Sequence, residues 1–270
     1  MENKQRILLR RELLKLQLEE KELCRKAEQA KSVDWKAMVG SKIPEKVYTG
    51  LEAAFCTGFS GVFQYGRKLI ELTYSKKSIR KEHTQRDQAV REAASRADFQ
   101  QMRKSIRKAE NWNLITTTAE GVALGALGVG MPDIVLFLAT LLKGVYETAL
   151  YYGFEYESPE EQYLILKMLS ASLKTGRHWL REDGRVDALL ETEMIRITKE
   201  DLTQQIQKTA SVFAMDMLVL KFIQGMPVVG FLGGAANPVY YRKVMAYVER
   251  KYRKRYLLRQ IKNENFEKNA

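Results

Sequence analysis

Asp133, Thr140 and Glu147 recur every seven residues inside "GVGMPDIVLFLATLLKGVYETALYYGF", residues 128–154. In a helix, 100° per residue brings all three to one side, with Tyr151 continuing the stripe and Lys143 one turn before Glu147. Ionisable groups confined to one seam of an apolar helix can face an interior cleft, where burial and neighbouring charge tune their proton affinity. Asp133 and Glu147 are therefore the candidate catalytic residues. As a carboxylate pair they would activate water directly, or through a hard divalent cation such as Mg²⁺ or Ca²⁺. A plainer reading stands beside this one. Asp133 in a first turn suits the helix dipole, and Lys143–Glu147 is an ordinary i,i+4 pair.

Little else in the chain offers chemistry. Cys24 and Cys56 lie far apart with no paired spacing, and His83 and His178 both sit in polar surroundings. No zinc pattern or disulfide framework follows from them. "GFSG" at residues 58–61 does not fit the G-x-S-x-G elbow, and the Ser-x-x-Lys matches at Ser78 and Ser105 fall in charged helical sequence. The glycines at 121, 125 and 128, then at 230, 233 and 234, lack the spacing of a phosphate or dinucleotide loop. They read as sites of close helix packing. The expectation is a protein with no cofactor and no resident metal, in which a hydrolase built on Asp133 and Glu147 is the alternative and not the first reading.

The elements that must position these residues are helices. Apolar spacing is helical almost throughout the 270 residues, and no run of alternating β-branched residues appears. The fold class is all-α, a single-domain multi-helix bundle with two glycine-rich apolar helical segments and basic terminal helices. Residues 4–30 form a long helix with Ile7, Leu8, Leu14, Leu18 and Cys24 near one face. Pro44 opens a helix, and Pro132 starts another that stops at Gly153. Ser158, Pro159 and Glu161 form a cap, first position and third position for the next. By composition the chain divides into a basic N-terminal helical region at 1–110, a helical core at 111–260 and a polar tail at 261–270.

Net charge is +12 and unevenly placed. Residues 1–110 hold 25 Lys/Arg against 15 Asp/Glu, residues 111–241 hold 10 against 15, and residues 242–270 hold 10 against 3. Basic ends suit a polyanionic surface. No helix-turn-helix, RNA-binding sheet or zinc finger is legible, so nucleic acid ranks last as a partner and an anionic membrane first. In "AYVERKYRKRYLLRQIK" the basic residues Arg253, Lys254 and Arg255 are candidates for that contact. Tyr240, Tyr241, Tyr247, Tyr252 and Tyr256 are suited either to the interface or to inward packing. A true span is disfavoured. Residues 128–154 carry three ionisable groups, and Phe222–Tyr241 holds Pro227, Pro238 and four glycines. A buried or interfacial hairpin is expected instead. Without an export signal at the N-terminus, the expected location is the cytoplasmic side, peripheral on the inner face of the membrane.

Two ordered blocks resemble the EcsC family. "GMPDIVLFLATLLKGVYETALYYGFE" followed by "SPEEQYLILKML" is similar to its first block, at Pro132, Asp133, Glu147, Ala149, Tyr152, Gly153, Pro159, Glu160 and Glu161. "GMPVVGFLGGAANPVYYRKV" and "RKRYLLRQ" are similar to its second, at Pro227, Gly230, Gly234, Asn237, Arg255, Tyr256 and Leu257. The resemblance covers residues 110–260, and the chain departs from it at Pro238 and in its basic first third. It implies a bacterial helical protein with a membrane-related role, in a family named after the companion of the Ecs ABC transporter. A membrane transporter or other membrane protein is then an expected partner. It supplies no accepted catalytic residues, but gives Asp133, Glu147 and Asn237 roles beyond packing and makes Asn237 and Tyr152 ligand-binding candidates.

Overall fold

Proline and glycine set the helix ends. The computed structural model describes residues 2–30, 43–92, 96–116, 132–192, 196–224 and 238–267. Its helices are α1 (Glu2–Gln29), α2 (Glu45–Gly61), α3 (Arg67–Glu71), α4 (Lys76–Glu92) and α5 (Arg96–Thr116). They continue as α6 (Pro132–Tyr151), α7 (Pro159–Leu173), α8 (Gly176–Glu191), α9 (Lys199–Gln224) and α10 (Pro238–Glu267). A π-helical turn, Val62–Gly66, joins α2 to α3 without a break. No strand occurs among the described residues, and the all-α expectation holds.

Pro132 is the first residue of α6, where its missing N–H forfeits no intrahelical bond. Gly153 ends that helix at φ +74°. Its N–H donates to the Leu150 carbonyl at 2.9 Å, and the Phe154 N–H donates to the Ala149 carbonyl at 2.9 Å, a Schellman closure. The Ser158 hydroxyl then caps α7 by accepting from the Glu161 N–H, with Pro159 at the first position. These punctuation marks were readable directly from residue types. A methyl group at Gly153 would also lie 2.2 Å from His83 Nε2. Gly153→Ala should therefore cost about 1–2 kcal/mol for the left-handed backbone alone, and more for the displaced imidazole. Urea unfolding of the variant checks this.

The centre of the bundle is α6, α7 and α10. Helix α6 packs on α2, α4, α5 and α10, while α10 also meets α1, α7 and α8. Phe59 and Phe213 meet edge to face at 5.3 Å, and Phe137 and Tyr240 likewise at 5.7 Å. Tyr146 stacks on Tyr156 at 4.1 Å. Leu9 and Leu16 of α1 share this core with residues of every later helix, so one core crosses the composition boundary near residue 110. Gly144 of α6 leaves room for a side chain of α10: a methyl group there would meet Tyr241 Oη at 2.2 Å. The glycines at 121, 125, 128, 230, 233 and 234, and the hairpin expected of their segments, lie outside the described residues. No described helix is long and apolar enough to cross a membrane.

One face differs from expectation, and a second takes one of the two forms open to it. In α1, Leu9, Leu16 and Glu20 face inward, while Ile7, Leu14 and Leu18 are 62%, 55% and 59% exposed. In α10, all five tyrosines from Tyr240 to Tyr256 are buried. The reason is position: α10 is surrounded on most sides, so its aromatic residues pack and its charges must find partners.

Candidate functional site

The structure separates the residues that the seam aligned. Asp133 and Glu147 lie 14 positions apart in one uninterrupted helix, α6. At 1.5 Å per residue their backbones stand about 21 Å apart, well beyond the roughly 5–10 Å at which two carboxylates share one reacting bond. A shared face is not a shared site. The Asp133 side chain and Asn237 lie outside the described residues. Lys143 and Glu147 are both buried, one turn apart, in the middle of the bundle. Tyr152 is buried and donates from Oη to Glu249 Oε1 at 2.8 Å. Among the described residues no group of three or more His, Cys, Asp or Glu side chains is placed to hold a metal ion.

Arg253, Lys254 and Arg255 meet carboxylates within the molecule instead of presenting their charge outward. Lys251, only 1% exposed, is their deepest neighbour. Its Nζ lies 3.1 Å from Glu20 Oε1, 2.6 Å from Asp187 Oδ1 and 2.9 Å from Asp183 Oδ1, the last misaligned for a hydrogen bond. Lys254 Nζ donates to Glu20 Oε2 at 2.8 Å and Asp187 Oδ2 at 2.9 Å. Burial alone would depress the Lys251 ammonium, but Asp183, Asp187 and Glu20 outweigh it and hold its pKa above the ordinary value. Three helices, α1, α8 and α10, are thereby locked through one buried ionic cluster.

Arg255 donates from Nη1 to both Glu161 oxygens at 2.8 and 2.7 Å, and Tyr252 Oη donates to Glu161 Oε1 at 2.7 Å. The third-position glutamate of α7 thus reaches α10 with its side chain, while its N–H keeps the Ser158 cap. Arg259 donates to the Tyr152 and Gly153 carbonyls at 3.1 and 3.0 Å, closing the end of α6. The Arg255 and Arg259 guanidiniums both lie over the Phe154 ring, 4.1 and 4.3 Å from its centre. From Lys251 to Arg259 the charge of this stretch serves assembly.

His83, packed on this same junction, gives a pH-dependent element. Its Nδ1–H donates to the Tyr151 carbonyl at 3.0 Å, and its ring meets Tyr256 edge to face. Burial lowers its pKa below 6.5 against the raising effect of that carbonyl and Asp87, with Arg259 and Arg91 adding to the depression. The unfolded chain then takes up this proton first as pH falls. The contribution to stability is present above the unfolded value of 6.5 and is lost as pH falls through the depressed folded value. Urea midpoints should fall between neutral and mildly acidic pH in the wild type, and fall less in His83→Gln.

Two surface features were not legible beforehand. A pocket of about 370 Å³ between α1, α5 and α10 is lined by Arg103, Arg107, Arg242, Arg250 and Arg253. Glu19 and Glu249 complete its rim, with Ala246. The guanidiniums are i,i+4 on α5 and on one side of α10, a pattern that means nothing until the two helices are paired.

The second feature is the outward side of α1. Ile7, Leu14 and Leu18 fall within about 40° of one another around the helix. Arg10, Arg11 and Lys21 flank them, exposed, and no carboxylate among the described residues lies within ion-pair distance of these three. Arg25 shares the side but is paired with Glu22 at 2.8 Å. Exposed apolar side chains in a row among unpaired cations are a surface built for something other than water.

The family model described as the EcsC protein family matches residues 9–257. The match begins in α1 and takes in the basic first third, beyond the residues 110–260 that carried the resemblance. No curated protein and no solved structure matches the chain.

Proposed function

Because the chain belongs to the EcsC protein family, with a helical core that matches it nearly end to end, we propose that it works as a peripheral membrane-binding protein whose α1 docks on anionic phospholipid. The observation that carries this reading is the outward side of α1, with Ile7, Leu14 and Leu18 exposed between Arg10, Arg11 and Lys21. Each cation near such a surface is worth about 1 kcal/mol. Sinking three half-exposed aliphatic side chains into the headgroup region adds about 1 kcal/mol each, well below the value for full burial. The total of about 6 kcal/mol corresponds to reversible binding on the order of 10⁴ M⁻¹, similar to a single myristoyl chain. Neither half suffices alone.

This is a narrower claim than docking through both basic ends, since the cations in the middle of α10 are spent on Glu20, Asp187 and Glu161. It needs no catalysis, and the 21 Å estimated between Asp133 and Glu147 along α6 removes the carboxylate-pair argument for a hydrolase. Flotation of purified protein tests the reading. Binding to phosphatidylglycerol vesicles, absent on phosphatidylcholine and weakened but not abolished by salt, is the expected result. Equal recovery on neutral and anionic vesicles, or none on either, contradicts it.

A further inference from the structure

We propose that the arginine-lined pocket between α1, α5 and α10 is a binding site for a ligand carrying at least two phosphoryl charges. Five guanidiniums face two carboxylates there. Both carboxylates are already engaged: Glu19 accepts from Arg253 Nη2 at 2.6 Å, and Glu249 accepts from Tyr152 at 2.8 Å with Arg103 at 3.7 Å. No carboxylate among the described residues lies within ion-pair distance of Arg107, Arg242 or Arg250. The Arg253 Nε–H is buried and lacks a hydrogen-bond partner among the described residues. A folded protein does not gather unpaired guanidiniums around a concavity without an electrostatic cost, and a bound polyanion relieves that cost.

The lining selects the class of anion. Guanidinium forks match phosphoryl oxygens two at a time, which ammonium groups do not. The pocket's roughly 370 Å³ suits a compact group. None of the lining residues is aromatic, so nothing there stacks on a base. The ligand is therefore a bare polyphosphoryl or phosphomonoester group, and not a nucleic acid. Its source is either the headgroup of an anionic lipid or a soluble phosphorylated compound. The site is distinct from the docking stripe, because Glu19 lies about 100° around α1 from Leu18. Its failure and that of membrane docking are therefore separable.

The test uses the full chain and tripolyphosphate in calorimetric titration. Parallel flotation compares phosphatidylcholine vesicles doped with phosphatidic acid, a phosphomonoester, against charge-matched phosphatidylglycerol, a phosphodiester. Arg107→Lys/Arg242→Lys keeps the net charge and removes the forks from two side chains that hold no internal ion pair, so folding is spared. Affinity for tripolyphosphate should fall about tenfold in this variant. Lys77→Gln/Lys81→Gln, which removes two exposed charges on α4, should leave it unchanged. Tripolyphosphate binding lost in the arginine variant, without a phosphatidic acid preference, supports the site with a soluble ligand. A phosphatidic acid preference lost in that variant, with phosphatidylglycerol flotation retained, supports it with a lipid source. No tripolyphosphate binding and no phosphatidic acid preference overturns the proposal, and so does an equal loss in the control pair or no loss in the arginine variant.

Discussion

Lys251→Met is expected to lower stability by about 3–5 kcal/mol, the usual cost of removing one partner from a buried ionic cluster. The substitution preserves much of the side-chain volume, so the loss is electrostatic. Glu20, Asp183 and Asp187 remain in the interior with only Lys254 to balance them. At about 2–4 °C per kcal/mol for a chain of this size, the thermal midpoint should drop by roughly 10 °C. Lys243→Met, on the exposed side of the same helix, should change stability by less than about 0.5 kcal/mol. Adding Asp183→Asn to Lys251→Met should recover part of the loss, since the second change removes one of the stranded charges. If Lys251→Met and Lys243→Met are equally mild, the cluster does not hold α1, α8 and α10 together.

Glu161→Ala is the second large effect, expected at about 3–4 kcal/mol. It strands the Arg255 guanidinium and the Tyr252 hydroxyl at once, both of which donate to Glu161 at 2.7–2.8 Å. Glu161→Gln keeps an acceptor for Tyr252 but removes the charge opposite Arg255, and should cost about half as much. The ratio of the two identifies the residue's work. A helix cap alone would make both changes cost little, because the Ser158 hydroxyl accepts from the Glu161 backbone N–H whatever the side chain is. Guanidinium chloride unfolding of the three proteins, with m-values compared, gives the answer.

The sequence carried the helix ends of α6 and α7 almost completely. Pro132, Gly153, Ser158 and Pro159 act through local sterics and local hydrogen bonds, so their meaning does not depend on what packs nearby. Helix α1 was harder. Leu8, Leu9, Leu13, Leu14, Leu16 and Leu18 are distributed around the whole helix, so periodicity alone names no inner face. The inner face is settled at long range, by Glu20 meeting Lys251 and Lys254 more than two hundred residues later. For the same reason "ERKYRKRY" reads in sequence as a basic run facing an anionic surface, whereas its lysines are among the buried charges of the molecule.

The carboxylate pair of α6 meets a different limit. Seven-residue spacing puts Asp133, Thr140 and Glu147 on one side of α6, and that inference concerned angle only. Distance along the axis grows with every turn, and two repeats carry the ends of the seam about 21 Å apart. The features that now bear the functional reading come from exposure and from helix pairing: a leucine stripe left uncovered on α1, and arginines from α5 and α10 brought around one pocket. Arg103 and Arg107 look no different in sequence from the other cations of α5.

The most direct test of membrane docking by α1 is a paired flotation on phosphatidylglycerol vesicles, wild type against Leu14→Glu/Leu18→Glu. Both leucines are more than half exposed and leave the core untouched when replaced, so circular dichroism and thermal midpoint should match the wild type. The account predicts that wild type floats and that the variant stays with the soluble fraction, having lost apolar insertion and gained like-charge repulsion. Flotation of both proteins to the same extent would contradict it, and would move any membrane contact to another face of the molecule.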